Sequence, residues 1–366
     1  MAAGTDQLTT ETDPPVTLLL PSAADDVIDN FVTEVLYTDI ISEETAQLLQ
    51  VILICACAGA VSLLGTAANL VNIYIFMLQG LNDSVTISLL GLTISDLCSL
   101  LAMVWLSICF NPLVRYSPDI SFNSIDVQYL TACWPHICFA RITSWITAYI
   151  TFERCLCIAM PLKVKQTITP RRTVYVITFI YLTVFLSVSP VYKGLGLGPS
   201  FNVKLNRTMF ALVYASDGQY LLSISNSIAV IVQVSSFAVV ILCTVILTKT
   251  LAVKSKWRAE SGNAAALSSS TERDRKVIQM VTLISTIFIV CFLPCIFHLL
   301  LEICYPAYSI RGRYRNSYVV CWSCMKTLEA VNSSISIFVY YKMSSKYRVV
   351  FREALFKREP IKKISN

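Results

Sequence analysis

The chain has 366 residues, of which 55% are hydrophobic and only 14% charged. A soluble domain has no core large enough for that apolar excess, which excludes an ordinary globular enzyme and makes the bilayer the solvent. The net charge of +6 therefore has to be read by location before it says anything about partners.

A bilayer core of about 30 Å needs roughly 20 apolar residues per helix. Seven runs of that size follow one another, taken coarsely at 47–78, 85–110, 127–157, 173–192, 219–248, 277–303 and 317–341. They predict an all-α membrane protein, a seven-transmembrane helix bundle over 47–341. Residues 1–46 hold ten acids and no Lys or Arg, and read as an acidic, disordered extracellular tail without a cleaved signal peptide. Residues 342–366 read as a cytoplasmic amphipathic helix and tail, with Tyr347, Val350, Phe351 and Leu355 on the apolar side.

Basic residues in short loops give the orientation. Twenty Lys and Arg follow the third, fifth and seventh runs, against seven in the three opposite loops. The amino terminus is outside, in a multi-pass plasma-membrane protein. The positive charge belongs to the inner membrane face and not to nucleic-acid binding. It follows that Asn206-Arg207-Thr208 is an outward glycosylation acceptor, while Asn82-Asp83-Ser84 faces the cytosol.

Intramembrane polar groups are costly and mark function or pairing. The third run ends on Glu153 and Arg154, where it leaves the membrane. In the sixth, Asp274 lies twenty residues before Pro294, near the same boundary, so Arg154 held by two acids predicts a latch that opens when helices separate. The bland reading is an interfacial anchor. His136 lies eighteen residues before Arg154, about five turns, and so on the same face. With His298 it is expected to line an outer pocket; the alternative is a packing histidine. Two His without an acid or cysteine at ligand spacing do not argue for a metal, and no cofactor motif is present.

The motifs, taken in order, resemble the rhodopsin-like (class A) G-protein-coupled receptors. Asn69 in GTAANL and Asp96 in LTISDL match the first- and second-helix polar positions. Glu153, Arg154 and Cys155, followed by Pro161 and Leu162, match the acid-Arg-Tyr motif. CFLP, Cys291 to Pro294, stands for Cys-Trp-x-Pro, and NSSISIFVYYKMSSKYR for the end of the seventh helix, with Tyr340 as the motif tyrosine. In wording, ERCLCIAMPLKVK with ITPRRT is most similar to orphan chemosensory-type receptors of molluscs. The resemblance implies a heterotrimeric G protein and an extracellular small-molecule or peptide ligand as partners. Kinase and arrestin come with it, since SGNAAALSSSTERDRK in the last inner loop is a phosphorylatable linker. An activation switch is implied at Glu153, Arg154, Asp274, Phe292, Pro294 and Tyr340, and a polar knot or sodium site at Asn69, Asp96, Asn332 and Ser336.

Departures from the pattern matter. Ser336 and Ile337 replace Asn-Pro, which predicts a seventh helix without its proline kink, and Phe292 replaces the toggle Trp. No cysteine lies between Cys157 and Cys243, so the second outer loop cannot supply the family's disulfide. Cys109 with Cys133 and Cys304 with Cys321 remain as possible bridges on the oxidising side.

In the outer half, Arg141 and Lys326 lie at one depth, about 20 Å above the inner boundary. Glu329, three residues after Lys326, can pair with it, which leaves Arg141 without an acid. An anionic ligand group would complete it, and His136 stands where amine receptors carry an acid. A secondary transporter or channel is the alternative function, but it predicts repeat symmetry and broken half-helices that the sequence lacks.

Overall fold

The computed structural model describes residues 39–160, 168–202, 206–261 and 269–356. Within these, the side chains at 202, 254–261, 269–274 and 356 stay outside the description. Pro161 and Leu162 also lie outside the described residues, as does the side chain of Asp274.

Nine helices carry the fold among the described residues. They are α1 (Glu43–Gln79), α2 (Ser84–Phe110), α3 (Trp134–Ala159), α4 (Pro170–Gly194), α5 (Gly218–Ser261), α6 (Ser269–Cys304), α7 (Arg315–Ser334), α8 (Ser336–Met343) and α9 (Ser345–Phe356). Helix starts follow local chemistry. Asp83 caps α2 by accepting from Thr86 N at 2.8 Å, and Thr169 caps α4 with Pro170 at its first position.

Helices α1, α2, α4, α5 and α6 are each long and apolar enough to cross a membrane. Helices α3 and α7 with α8 complete the seven-helix bundle. They are less apolar than the other five, since α3 carries Arg141, Glu153 and Arg154, and α7 carries Lys326 and Glu329. Ile142, Ile146 and Ile150 put α3 in the centre of the main core, against Leu92 of α2 and Val184 of α4.

Three differences from the sequence reading have physical causes. Residues 39–46 of the acidic segment are packed on the bundle. Asp39 accepts from Asn316 N at 2.6 Å, Ser317 N at 3.1 Å and Ser317 Oγ at 2.6 Å, so its carboxylate satisfies the unpaired amides at the start of α7. Burial works to raise its pKa, but these hydrogen bonds outweigh it and hold the carboxyl below its ordinary value. The tether is thus intact at neutral pH and is lost as pH falls through that depressed value.

The seventh helix breaks without proline. Asn69 Nδ2 takes the Ser333 carbonyl at 2.8 Å, and Ile335 closes a tighter turn with Phe338 N donating to its carbonyl at 3.1 Å. Side-chain capture of one backbone acceptor replaces the missing ring.

The disulfides are the third difference. Cys109, Cys133, Cys304 and Cys321 are free thiols, so neither Cys109 with Cys133 nor Cys304 with Cys321 is joined. Cys109 and Cys133 are each buried in apolar packing, and Cys304 and Cys321 are exposed. Hydrogen bonds hold the second outer loop instead. The glycine-rich stretch GLGLGPS builds most of β1 (Leu195–Asn202), which pairs antiparallel with β2 (Arg207–Tyr214). The hairpin is clamped to the first outer loop. Phe210 bridges to Phe122, Leu212 N donates to Asp126 at 3.3 Å, and the Arg207 guanidinium donates to the carbonyls of Ser117, Pro118 and Ile120.

The same hairpin bears on topology. Asn206 is exposed at its turn with a left-handed φ of 48°, which asparagine tolerates. Asp83 pairs with Lys346 of α9 at 3.3 Å, which puts Asn82 at the opposite end of the bundle. Asn206→Gln should abolish the glycosidase-sensitive shift of the expressed protein, and Asn82→Gln should leave it. A shift that survived Asn206→Gln would invert the orientation.

Candidate functional site

Three polar layers lie along the interior of the bundle. At the inner end, Arg154 Nη2 is 2.8 Å from Glu153 Oε1, with the Glu153 side chain 1% exposed and that of Arg154 12%. The approach is oblique, outside hydrogen-bond geometry, and neither Glu153 oxygen has a hydrogen-bond partner among the described residues. Arg154 is held by charge and not by a fork of directed bonds. Around it, Thr151 Oγ1 meets Ser285 Oγ of α6 at 2.8 Å, and Cys155 Sγ lies 3.3 Å from the Cys243 carbonyl of α5. Arg154 therefore sits where α3 touches both neighbours. Whether Asp274 meets it lies outside the described side chains.

The middle layer is continuous. Asp96 is buried and accepts from Thr143 Oγ1 at 2.9 Å and Ser333 Oγ at 3.0 Å. Asn69 ties the Ser333 carbonyl, and Ser336 Oγ reaches both Asn69 Oδ1 at 3.5 Å and Asn72 Nδ2 at 3.3 Å. Tyr347 Oη then donates to Asn72 Oδ1 at 2.6 Å. Thus hydrogen bonds run from mid-membrane Asp96 to the tail helix α9. Tyr347, read as one of the residues of that helix's lipid side, is buried against Tyr340 and Phe76, with ring centroids 5.8 and 5.7 Å away. Asn332 lines a cavity of about 20 Å³ beside Asp96, Thr143 and Ser336, room for one water or small ion. Phe292 stacks on Phe288 at 4.4 Å, two residues before the helix proline Pro294.

The outer layer is organised by Glu329. One oxygen lies 2.7 Å from Lys326 Nζ and 2.6 Å from His136 Nε2. His136 Nδ1 faces Ser99 Oγ at 2.9 Å, so the imidazole is held at both nitrogens. The expected Lys326–Glu329 pair is present; His136 joins it as a third member from α3. His298 does not share that contact set. Its Nδ1 meets Tyr308 Oη at 2.8 Å and its ring lies 4.7 Å from that of Tyr318, in an outer aromatic group. Arg141 makes no ion pair within 4 Å among the described residues. Its Nε donates to the Ala229 carbonyl of α5 at 3.1 Å and its Nη1 to the Ile137 carbonyl at 3.1 Å. Thr143, Ser333, Asn72, Ser99 and Tyr347 complete these layers and were not singled out as site residues from sequence. Hydroxyls and amides at helical spacing give no signal until the partner helix is known.

This stack, with an Arg at the inner end, a mid-membrane Asp and a broken seventh helix, coincides with a family match. The description "7 transmembrane receptor (rhodopsin family)" fits residues 68–344. The chain belongs to this family. Similar proteins include the growth hormone secretagogue receptor type 1 of Oryctolagus cuniculus, 25% identical over 327 residues and covering 85% of this chain and 83% of that one. The same receptor of Sus scrofa is 28% identical over 216 residues, 56% of this chain and 54% of its own. As a rhodopsin-family receptor in the plasma membrane, the protein binds an extracellular ligand and acts on a heterotrimeric G protein; no finding favours a transporter.

Proposed function

We propose that the ligand of this receptor carries an anionic group, held in the outer half of the bundle by Arg141. The observation that carries the reading is the charge balance of the outer layer. Glu329 is engaged by Lys326 and His136, whereas among the described residues Arg141 has only neutral carbonyls as hydrogen-bond partners. A guanidinium with unmatched charge in a low-dielectric interior favours a carboxylate. Small organic acids, amino acids and peptide termini fit, which is compatible with a chemosensory or a peptide-sensing receptor. Relatives named for growth hormone secretagogues are compatible with an extracellular agonist. Arg141→Gln should lower the potency of a carboxylate agonist at least tenfold and leave its amide nearly unchanged. Equal losses for both would assign Arg141 to the fold.

Signalling then follows from population shift. Ligand binding favours the state in which Arg154 leaves Glu153 and Asp274 and the inner ends of α3, α5 and α6 receive the G protein. A water or sodium ion in the cavity beside Asp96 and Asn332 stabilises the resting state. Phosphorylation of the linker between α5 and α6 by a kinase, followed by arrestin, ends the signal.

A further inference from the structure

We propose that the third outer loop, between α6 and α7, is the docking surface for residues 25–36 of this chain, the acidic stretch that runs up to the Asp39 tether. Arg311, Arg313 and Arg315 stand there at alternate positions, all three exposed. Among the described residues none of them forms an ion pair; the Arg313 guanidinium only lies over the Tyr314 ring, 5.3 Å from its centroid. Apolar side chains are exposed beside these cations, Ile310 at 51% and Tyr305 at 46%. The surface thus offers charge and hydrocarbon together.

The sequence ahead of Asp39 supplies the complement to both. Residues 1–38 hold seven acids and no Lys or Arg, and four of those acids are Asp25, Asp26, Asp29 and Glu34. Among and after them come the apolar pairs Val27-Ile28, Phe31-Val32 and Val35-Leu36. Position makes the match local. Asp39 accepts from Asn316 N and Ser317 N, so the chain arrives next to Arg315. Glu34 lies five residues before Asp39 and Asp29 ten, reaches of at most about 18 and 36 Å, while Arg311 is at most about 14 Å of chain from Arg315. All three arginines are therefore accessible to the acids. A single exposed ion pair is weak. Several pairs made by a segment tethered beside them act at an effective concentration on the order of millimolar, and the apolar pairs gain contact area on Tyr305 and Ile310.

Two other occupants fit less well. A sulfated polysaccharide would take the charge and leave Tyr305 and Ile310 uncovered. A second copy docked by two-fold symmetry on this loop would set the arginines against their own equivalents. Seated on the loop, residues 25–36 extend the Asp39 contact into a strap from the start of α1 across the link between α6 and α7.

The test is limited digestion of the purified full chain by a glutamate-specific protease, with cleavage after Glu34 followed by mass spectrometry. Wild type should be cut there slowly at low ionic strength and roughly fivefold faster in about 0.5 M salt, which screens exposed pairs. The combined change Arg311→Gln, Arg313→Gln and Arg315→Gln should already be cut at the faster rate at low salt and gain little from more. Reversing both sides, Asp25→Lys, Asp26→Lys and Asp29→Lys together with Arg311→Asp, Arg313→Asp and Arg315→Asp, should restore protection, whereas either reversal alone should not. That rescue separates docking from a loop merely loosened by loss of its arginines. Equal cleavage in wild type and the Gln variant would overturn the proposal; if that variant had also lost retention on immobilised heparin, the patch would belong to a sulfated polysaccharide. A combined reversal cut as fast as its separate halves would overturn it too.

Discussion

Replacing Arg154 with alanine should abolish activation of the G protein while leaving surface expression close to that of wild type. The side chain lies at the membrane boundary, keeps partial solvent access, and is held to Glu153 by an ion pair without directed hydrogen bonds. Its loss removes little packing. What it removes is the cation that α3 presents between α5 and α6, where Cys155 and Thr151 already mark the contacts. Nucleotide exchange on reconstituted G protein is the measurement, with cell-surface labelling as control. A variant that signals normally would detach Arg154 from the switch; one lost equally from surface and signal would make it a packing residue.

The companion change separates a latch from an anchor. If Asp274 restrains Arg154, Asp274→Asn raises ligand-free exchange, because one of two carboxylates stabilising the closed state is gone. Unchanged basal exchange at normal expression would leave Arg154 as a docking residue only.

The legibility of these features in the sequence followed their range. Seven apolar runs and their orientation were readable because bilayer thickness and charge asymmetry act on contiguous segments. Arg154, Asp96 and Glu329 were readable because a charge in an apolar run needs an explanation on its own. The partners of those charges were less so. Lys326 lies three residues from Glu329 and was found by helical spacing, while His136 comes from another helix and only packing brings it to 2.6 Å. The break in α7 was hidden for the same reason: proline is a local signal, whereas Asn69 capturing the Ser333 carbonyl is a contact across 264 positions. Cysteine spacing misled, since the hairpin clamp by Arg207 made a covalent tie unnecessary and nothing about an isolated arginine announces three carbonyl partners.

Glu329 should be the least replaceable residue of the outer layer. Its carboxylate faces the Lys326 ammonium and the His136 imidazole, and the exposures of the three side chains are 11%, 8% and 1%. Removing one member of a buried pair leaves the other charge uncompensated, at a cost of about 3–5 kcal/mol. Arg141 on the same stretch of α3 adds to the positive excess. Glu329→Gln should therefore lower the apparent melting temperature of the purified receptor by roughly 10 °C. Removing both charges has a different result, because a buried pair exchanged for neutral groups of similar volume is often near neutral in stability. Lys326→Met combined with Glu329→Gln should thus recover most of the loss, with His136 still able to donate to the new amide oxygen. If the single change melts like wild type, the layer is hydrated enough to screen a lone ammonium, and the argument from unmatched charge at Arg141 fails with it. If the double change is as unstable as the single one, the carboxylate is required by His136 and not by Lys326, and the outer layer is a histidine–acid pair to which the lysine is incidental.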